Sequence, residues 1–322
     1  MQGSAHLPAN RFQTFTILVV GVILEQKSNT YMLPAFLRKQ YPFTPDTFEL
    51  PCGNTMSYVD VGTGPVVVML HGNPTWSFYY RNLIKLLQKK YRVIAPDHIG
   101  CGLSSKPQQY QYRLNTHIDN IEHLLKHLKV NQTSLVLHDW GGAIGMGYAV
   151  RNPQRIQSIS LLNTAAYLSD HIPLRIQICR TPLFGDLVIR GCNGFARAAL
   201  SMAVTKKMSV ETAKGFLFPY DSWKNRIATL RFVQDIPLSE KDYSYTALSH
   251  IEKGLEFFKN TPILICWGGK DFCFNDHFYE EWQKRFPQAE CHYFSDAGHY
   301  ILEDDFGQVG PLIENFFDKK VV

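Results

Sequence analysis

The chain has 322 residues, of which 45% are hydrophobic, and this composition is typical of an ordinary globular protein and excludes a disordered one. The formal net charge is only +5, and the Lys and Arg residues form no basic stripe, which argues against a nucleic-acid partner. Seven cysteines, an odd number without Cys-x-x-Cys spacing, fit free thiols better than a disulfide framework. The sequence therefore predicts a cytoplasmic protein.

An apolar run at residues 16–24, preceded by Arg11, lies within an amino-terminal extension that we assign to residues 1–31. The run is shorter than the roughly 20 apolar residues of a membrane-spanning helix, and no small-residue cleavage site follows it. We favour two interpretations over a weak signal-peptide core. The extension either touches a membrane peripherally, or it precedes a true start at Met32.

Short apolar runs typical of strands alternate with helical patterns in the first half of the chain. Two short strands are predicted within residues 48–60, and buried β-branched or apolar runs follow at residues 65–70, 91–96, 134–138 and 156–162. Amphipathic helical patterns separate several of them, as at residues 78–87. This alternation predicts an α/β protein with a mainly parallel sheet and helices on both faces.

The alternation stops after the strand at residues 156–162. Residues 167–249 contain helical patterns but no convincing strand, whereas strands resume at residues 262–267 and 291–294 and are followed by a final amphipathic helix. We therefore predict a core formed by residues 32–166 and 250–322, with a helical cap inserted at residues 167–249.

A strand, a sharp turn and a helix meet at Asp139. The apolar strand ends there, and Trp140, Gly141 and Gly142 lead into a helix rich in small residues. This pattern is typical of the nucleophile elbow of the α/β-hydrolase fold, where small residues allow strand and helix to approach closely. The sequence thus predicts an α/β-hydrolase fold with Asp139 as nucleophile. Capping of the following helix is the alternative role for this carboxylate.

Two further residues follow later strands and complete a predicted catalytic triad. Asp271 lies just beyond the strand at residues 262–267, and His299 lies beyond the last strand, next to Gly298. The order Asp139, Asp271, His299 is the nucleophile, acid, base order of α/β-hydrolases. Asn163 ends the preceding strand, where related enzymes can carry the acid, but it has no charge.

Other polar residues near these motifs have structural interpretations. We expect Asp296 to order the turn before His299, and we expect Asp97 and His98 to form a hydrogen-bonded turn in their glycine-rich loop. Trp76 and its aromatic neighbours are interpreted as packing or pocket-lining residues. The sequence predicts neither a metal nor a cofactor.

A carboxylate nucleophile is ionised near neutral pH and is suited to displacing a leaving group at an sp³ carbon, which gives an alkyl ester of the enzyme. Water activated by His299 could then cleave that ester at the Asp139 carbonyl. The backbone N–H groups of Asn73 and Trp140 are the expected oxyanion hole. The Asn73 amide and the Trp140 indole are uncharged donors suited to binding a departing anion.

The segments at residues 71–76, 138–142 and 296–299 resemble those of haloalkane dehalogenases. By this resemblance Asn73 and Trp140 match the halide-binding pair, and Asp139, Asp271 and His299 match the triad. Epoxide hydrolases also use an Asp nucleophile but usually carry an aromatic residue at the position of Asn73, which argues against them.

A more extensive resemblance covers nearly all of the chain from Met32 onward. The segments at residues 71–81, 219–226, 232–237 and 270–282 resemble the β-lactone decarboxylases of bacterial long-chain olefin biosynthesis. The resemblance implies a hydrophobic small-molecule substrate, a cis-β-lactone with two long alkyl chains, that yields a cis-alkene and CO2. It also implies that the synthetase and the reductase of the olefin pathway are assembly partners.

The sequence is therefore compatible with three functions. We favour the decarboxylase, because its resemblance extends into cap residues that the chemistry alone would not fix. A haloalkane dehalogenase, which forms alcohol and halide through an alkyl-enzyme ester, is the alternative. A non-catalytic binding protein with a hydrolase fold is the more distant one.

Overall fold

The computed structural model describes residues 33–320, so the predictions for residues 1–31 and for a start at Met32 lie outside the described residues. Eight strands form one sheet: β1 Asp46–Glu49, β2 Thr55–Val61, β3 Val66–Leu70, β4 Arg92–Pro96, β5 Thr133–Asp139, β6 Ile156–Thr164, β7 Ile263–Gly268 and β8 Glu290–Phe294. Their order is β1-β2-β4-β3-β5-β6-β7-β8. Only the pairs β1 with β2 and β2 with β4 are antiparallel. The predicted α/β-hydrolase fold with a mainly parallel sheet is confirmed.

A fully buried strand, β5, lies near the centre of the sheet. Every residue of β5 is buried, and the strand pairs in parallel with β3 on one side and β6 on the other. A strand covered on both faces requires apolar side chains in both directions, which explains its continuous Leu-Val-Leu run. Parallel strands end at the same edge, so the residues that follow β3, β5, β6 and β7 meet there.

Helices cover both faces of the sheet. The helices of the core are α1 Ala35–Gln40, α2 Arg81–Leu87, α3 Leu114–His127, α4 Trp140–Arg151, α10 Asp276–Arg285, α11 Ile301–Asp304 and α12 Phe306–Lys320. Two short 3₁₀ helices, Ser77–Tyr80 and Pro153–Arg155, precede α2 and β6. The predicted helix at residues 78–87 is thus a 3₁₀ turn that continues into α2. On one face α3 packs against α4, and on the other α12 packs against α2.

The segment between β6 and β7, all of it described by the structure, is helical and contains no strand. Its helices are α5 Leu174–Cys179, α6 Gly194–Met202, α7 Val210–Leu217, α8 Ile227–Gln234 and α9 Tyr245–Gly254, with a π-helical turn at Asp186–Gly191 and 3₁₀ turns at Lys224–Arg226 and Leu255–Phe258. The carboxyl-terminal cap boundary predicted between residues 249 and 250 falls within α9, which packs against α4 of the core.

None of the helices within residues 33–320 is long and apolar enough to cross a lipid bilayer.

Candidate active site

Asp139 is the last residue of β5 and directly precedes α4. Its φ of 52° lies in the left-handed region, which is unfavourable for a residue with a side chain. Close packing enforces this sharp turn. A Cβ atom on Gly141 would collide with the carbonyl oxygen of Leu70, and one on Gly142 would collide with the Thr164 hydroxyl. Only glycine permits this approach, so the elbow predicted from the small residues is present.

The three predicted triad residues lie together at the carboxyl edge of the sheet. Nδ1 of His299 lies 2.6 Å from Oδ2 of Asp271, and Nε2 of His299 lies 3.6 Å from Oδ2 of Asp139. All three side chains are buried, with residue exposures of 4–7%. An imidazole held by one carboxylate faces the other, as nucleophilic catalysis requires.

Asp271 is held by neighbours that the sequence did not identify as functional. The side-chain amide of Asn163 donates to Oδ2 of Asp271 at 3.0 Å, and the backbone N–H of Cys273 donates to Oδ1 at 2.6 Å. Asn163 is itself fixed at Gly268, to whose carbonyl it donates and from whose N–H it accepts. The sequence pointed to Asn163 only as a possible acid position, whereas its amide orients the acid.

Burial and neighbouring charges shift the pKa values of Asp139 and His299. Burial raises the pKa of Asp139 above its ordinary value of 3.8, although His299 and the backbone N–H groups of Trp140 and Asn73 oppose the shift. Burial lowers the pKa of His299, but Asp271 and then Asp139 outweigh it, so its pKa lies above 6.5. The two carboxylates thus stabilise the charged form of the imidazole against the effect of burial.

The anion donors predicted from the sequence also lie at Asp139. The backbone N–H of Asn73 donates to Oδ1 of Asp139 at 2.6 Å. The Asn73 side-chain amide donates to the carbonyl oxygen of Thr229 in α8 at 3.1 Å, which leaves its second N–H free to bind a ligand. The indole N–H of Trp140 makes no hydrogen bond to any residue between 33 and 320, and both residues line a cavity.

The rings of His138 and Phe274 pack against the imidazole of His299. His138 packs against it with ring centroids 4.5 Å apart, and Phe274 stacks at 5.7 Å. Nε2 of His138 also lies 2.9 Å from the carbonyl oxygen of His299. Burial lowers the pKa of His138 well below 6.5, so this neighbour remains neutral beside the triad.

The Asp97 loop forms the hydrogen-bonded turn that the sequence predicts, because Asp97 accepts from the N–H groups of Ser77 and Leu103. The expectation for Asp296 is wrong. Its side chain is exposed and pairs with Lys270 at 2.8 Å. Asp304 orders the turn instead, accepting from the N–H of Gly298 at 2.7 Å, since it lies on the short helix that follows.

A cavity of about 310 Å³ opens above Asp139 and is lined mostly by apolar side chains of the cap. Its polar lining groups include Asn73, Asp139, Trp140 and His299. This is the usual composition of a small-molecule site, an apolar enclosure with a few convergent polar groups. No cluster of three or more His, Cys, Asp or Glu residues suited to a metal ion occurs within residues 33–320.

Comparison with known proteins agrees with this fold. Residues 65–306 match the family described as alpha/beta hydrolase fold. A cis-3-alkyl-4-alkyloxetan-2-one decarboxylase from Shewanella oneidensis is 48% identical, over 82% of this chain and 85% of that protein. One of the same name from Xanthomonas campestris pv. campestris is 39% identical, over 87% and 97% respectively.

Among solved structures, a loop variant of a haloalkane dehalogenase from Bradyrhizobium elkanii superposes with a TM-score of 0.79 at 25% sequence identity. The match covers 86% of this chain and 97% of that one. The two decarboxylases are therefore much more similar in sequence to this chain than the dehalogenase is. The chain belongs to the α/β-hydrolase fold family and, within it, to the family of cis-3-alkyl-4-alkyloxetan-2-one decarboxylases.

Proposed function

We propose that this enzyme converts cis-3,4-dialkyl β-lactones to cis-alkenes and CO2, with Asp139 as its nucleophile. One observation carries the proposal: the Asp139 carboxylate, between His299 and the donors of Asn73 and Trp140, opens into an apolar cavity. An apolar cavity suits a lactone with two alkyl chains. The two decarboxylases at 48% and 39% identity support the choice of substrate.

In the first step, a lone pair of the Asp139 carboxylate attacks C4 of the lactone, the sp³ carbon that bears the ring oxygen. The C4–O bond breaks with inversion, and its electrons leave on the ring oxygen. The product is an alkyl ester of Asp139 whose C3 carries a free carboxylate. The Asn73 amide and the Trp140 indole, both uncharged donors, stabilise this new anion as it forms.

In the second step, the bond between C3 and the carboxylate breaks, and its electrons form the C3=C4 double bond. The ester C–O bond breaks at the same time and returns an electron pair to Asp139, while CO2 leaves. Inversion at C4 followed by anti elimination converts a cis-lactone to a cis-alkene. The backbone N–H of Asn73, 2.6 Å from Oδ1 of Asp139, stabilises the returning carboxylate.

No proton or water molecule is consumed in either step. His299 therefore acts here as a positioned charge near Asp139, and Asp271 keeps it in place. The dry surroundings favour loss of neutral CO2 and protect the ester from hydrolysis. A haloalkane dehalogenase would differ at this point, because it needs His299 to activate water against the same type of ester.

The deciding experiment compares both substrate classes on one protein preparation. We expect alkene from a cis-disubstituted long-chain β-lactone at a higher kcat/KM than bromide release from 1-bromoalkanes. Asp139→Ala should abolish both activities, whereas Lys270→Ala, on the surface ion pair with Asp296, should leave both unchanged. Bromide release without alkene would instead identify a dehalogenase, and neither product from folded protein would identify a binding protein.

We also propose that the enzyme works in the cytoplasm beside the synthetase and the reductase of the olefin pathway. All seven cysteines lie within residues 33–320 and are unpaired, which supports a reducing compartment. Co-purification of tagged enzyme with both proteins from a co-expressing strain tests the association. Elution of the enzyme alone at physiological salt would contradict it.

A further inference from the structure

One wall of the cavity above Asp139 is a single face of α6. Five cavity-lining residues recur at intervals of three and four, the spacing of one helical face, along α6 and its C-cap residue Ala203: Phe195, Ala198, Ala199, Met202 and Ala203. Three of the five are alanines, whose short side chains leave open space along the helix. We call this surface the alanine wall.

The alanine wall begins beside the catalytic histidine. The carbonyl oxygen of Ala203 accepts the backbone N–H of Tyr300 at 2.7 Å, so this end of α6 is fixed next to His299. At the other end, Phe195 packs against a buried apolar cluster that includes Ile189 and Leu230, neither of which lines the cavity. The open space along the wall is therefore bounded by the reactive centre at one end and by packed side chains at the other.

The remaining apolar lining comes from different elements. Ala165 and Tyr167 follow β6, Pro237 and Leu238 follow α8, and Leu248 lies on α9. Tyr167, Pro237 and Leu238 also line a second, more polar pocket at the surface. This side of the cavity thus continues towards solvent, whereas the alanine wall ends in the packed cluster.

We propose that the alanine wall binds one of the two alkyl chains of the substrate and sets the longest chain accepted at that position. The inference rests on the proposed function, in which a lactone carries one chain on C3 and one on C4. Seven residues separate Met202 from Phe195, a rise of about 10.5 Å at about 1.5 Å per residue. With C–C bonds of about 1.5 Å, an extended chain advances about 1.25 Å per methylene. The wall therefore accommodates about eight methylenes.

Two substitutions with opposite effects test the proposal. Ala199→Phe places a ring across the middle of the wall and should shorten the longest accepted chain by about five methylenes, since the four residues from Ala199 to Phe195 rise about 6 Å along the helix. Phe195→Ala removes the ring at the closed end and should lengthen the longest accepted chain by about three to four methylenes, since a benzyl group spans about 4–5 Å by its bond lengths. Ser201→Phe, which adds the same ring on the exposed face of α6, is the matched control.

The measurement is the rate of alkene formation from two series of cis-lactones, one with the C3 chain varied and one with the C4 chain varied. We expect the length limit to shift in one series only, while short-chain lactones remain substrates of every variant. Unchanged limits in both variants, or equal shifts in both series, would overturn the proposal. If the wild type forms no alkene from any lactone, the proposed function fails instead, and 1-bromoalkanes of graded length then test the wall through bromide release.

Discussion

The side-chain amide of Asn163 donates to Oδ2 of Asp271 at 3.0 Å, the same carboxylate oxygen that lies 2.6 Å from Nδ1 of His299. Two donors on one oxygen fix the rotation of the carboxylate, and the backbone N–H of Cys273 binds the other oxygen. Asn163 thereby positions His299 through Asp271 without contacting the cavity. A residue with this arrangement affects the orientation of the imidazole and does not bind substrate.

Asn163→Ala should therefore lower kcat about 10- to 100-fold with little change in KM, because a hydrogen bond to a charged group contributes about 1.5–3 kcal/mol. Steady-state rates of alkene formation, measured well below the melting temperature of the variant, provide the test. The hydrogen bonds to Gly268 are lost as well, so the melting temperature is recorded in parallel. An unchanged kcat would show that Cys273 and His299 alone suffice to orient Asp271.

The proximity of Asp139, Asp271 and His299 could be predicted from sequence because these residues follow strands of one parallel sheet, and such strands end at the same edge. Asn163 could not, because its role depends on a φ of 36° and on the approach of Gly268 from the neighbouring strand. The same reason explains the error at Asp296. The backbone N–H of Gly298 in this turn donates to whichever carboxylate the chain brings near it. Asp304 lies on a short helix that the local sequence pattern did not indicate, and it accepts this hydrogen bond.

The sequence pattern predicted all eight strands of the sheet, because short runs of apolar and β-branched residues are typical of buried strands. The cap was less predictable. Its helices are short and partly π-helical or 3₁₀, and the orientation of α6 towards the cavity depends on contacts with distant residues such as Tyr300. The sequence pattern predicted helical segments in the cap, but only the structure shows that one face of α6 lines the cavity.

His299→Gln should separate the two chemistries. Because decarboxylation consumes no water, we expect the variant to retain measurable alkene formation, within about 100-fold of wild type, a loss of about 2.7 kcal/mol. With a 1-bromoalkane the same variant should release one bromide per enzyme and then stop, since nothing activates water against the ester. Intact mass spectrometry detects the alkylated protein. Complete loss of alkene formation would show that His299 takes part in bond breaking.

The pH dependence of the two activities should differ in its acidic limb. In the proposed mechanism, alkene formation requires an ionised Asp139. Burial raises the pKa of that carboxyl above 3.8, so the rate should fall as pH drops through the raised value. Bromide turnover additionally requires neutral His299, whose pKa Asp271 raises above 6.5 against the effect of burial. The rate of bromide release should therefore begin to fall at a higher pH than the rate of alkene formation does. Profiles of kcat/KM for both substrates on wild type test this, and coincident limbs would contradict it.

A nearly buried ion pair connects α2 to the helix that follows His299. Nη2 of Arg81 lies 2.8 Å from Oε2 of Glu303, and the guanidinium lies 4.2 Å from the ring centroid of Phe78. Arg81→Met should lower the free energy of unfolding by about 3–5 kcal/mol, because Glu303 remains buried without its partner. The double variant Arg81→Met, Glu303→Leu should lose less unfolding free energy than the single variant Arg81→Met does. Urea unfolding measures both, and a larger loss in the double variant would contradict the explanation.

Several buried histidines oppose stability at acidic pH. Burial lowers the pKa values of His71, His117 and His138 well below 6.5 and that of His98 to about 4. The unfolded chain binds protons at these side chains below pH 6.5, whereas the folded protein does not. Stability should therefore fall as pH drops below 6.5, by up to about 1.4 kcal/mol per pH unit for each histidine. His299, with its raised pKa, contributes in the opposite direction.

His117 offers the cleanest test, because neither ring nitrogen has a hydrogen-bond partner among residues 33–320 and its ring stacks on Phe232 at 4.6 Å. His117→Phe keeps the stacking and removes the titration. The difference in unfolding free energy between pH 7.5 and pH 5.5 should shrink by about 1.4 kcal/mol, the linkage energy of one histidine over that interval. Urea unfolding at both pH values measures it. His123→Phe, at a position where the ring is exposed, serves as control, and an unchanged pH difference in His117→Phe would mean that His117 is protonated in the folded protein.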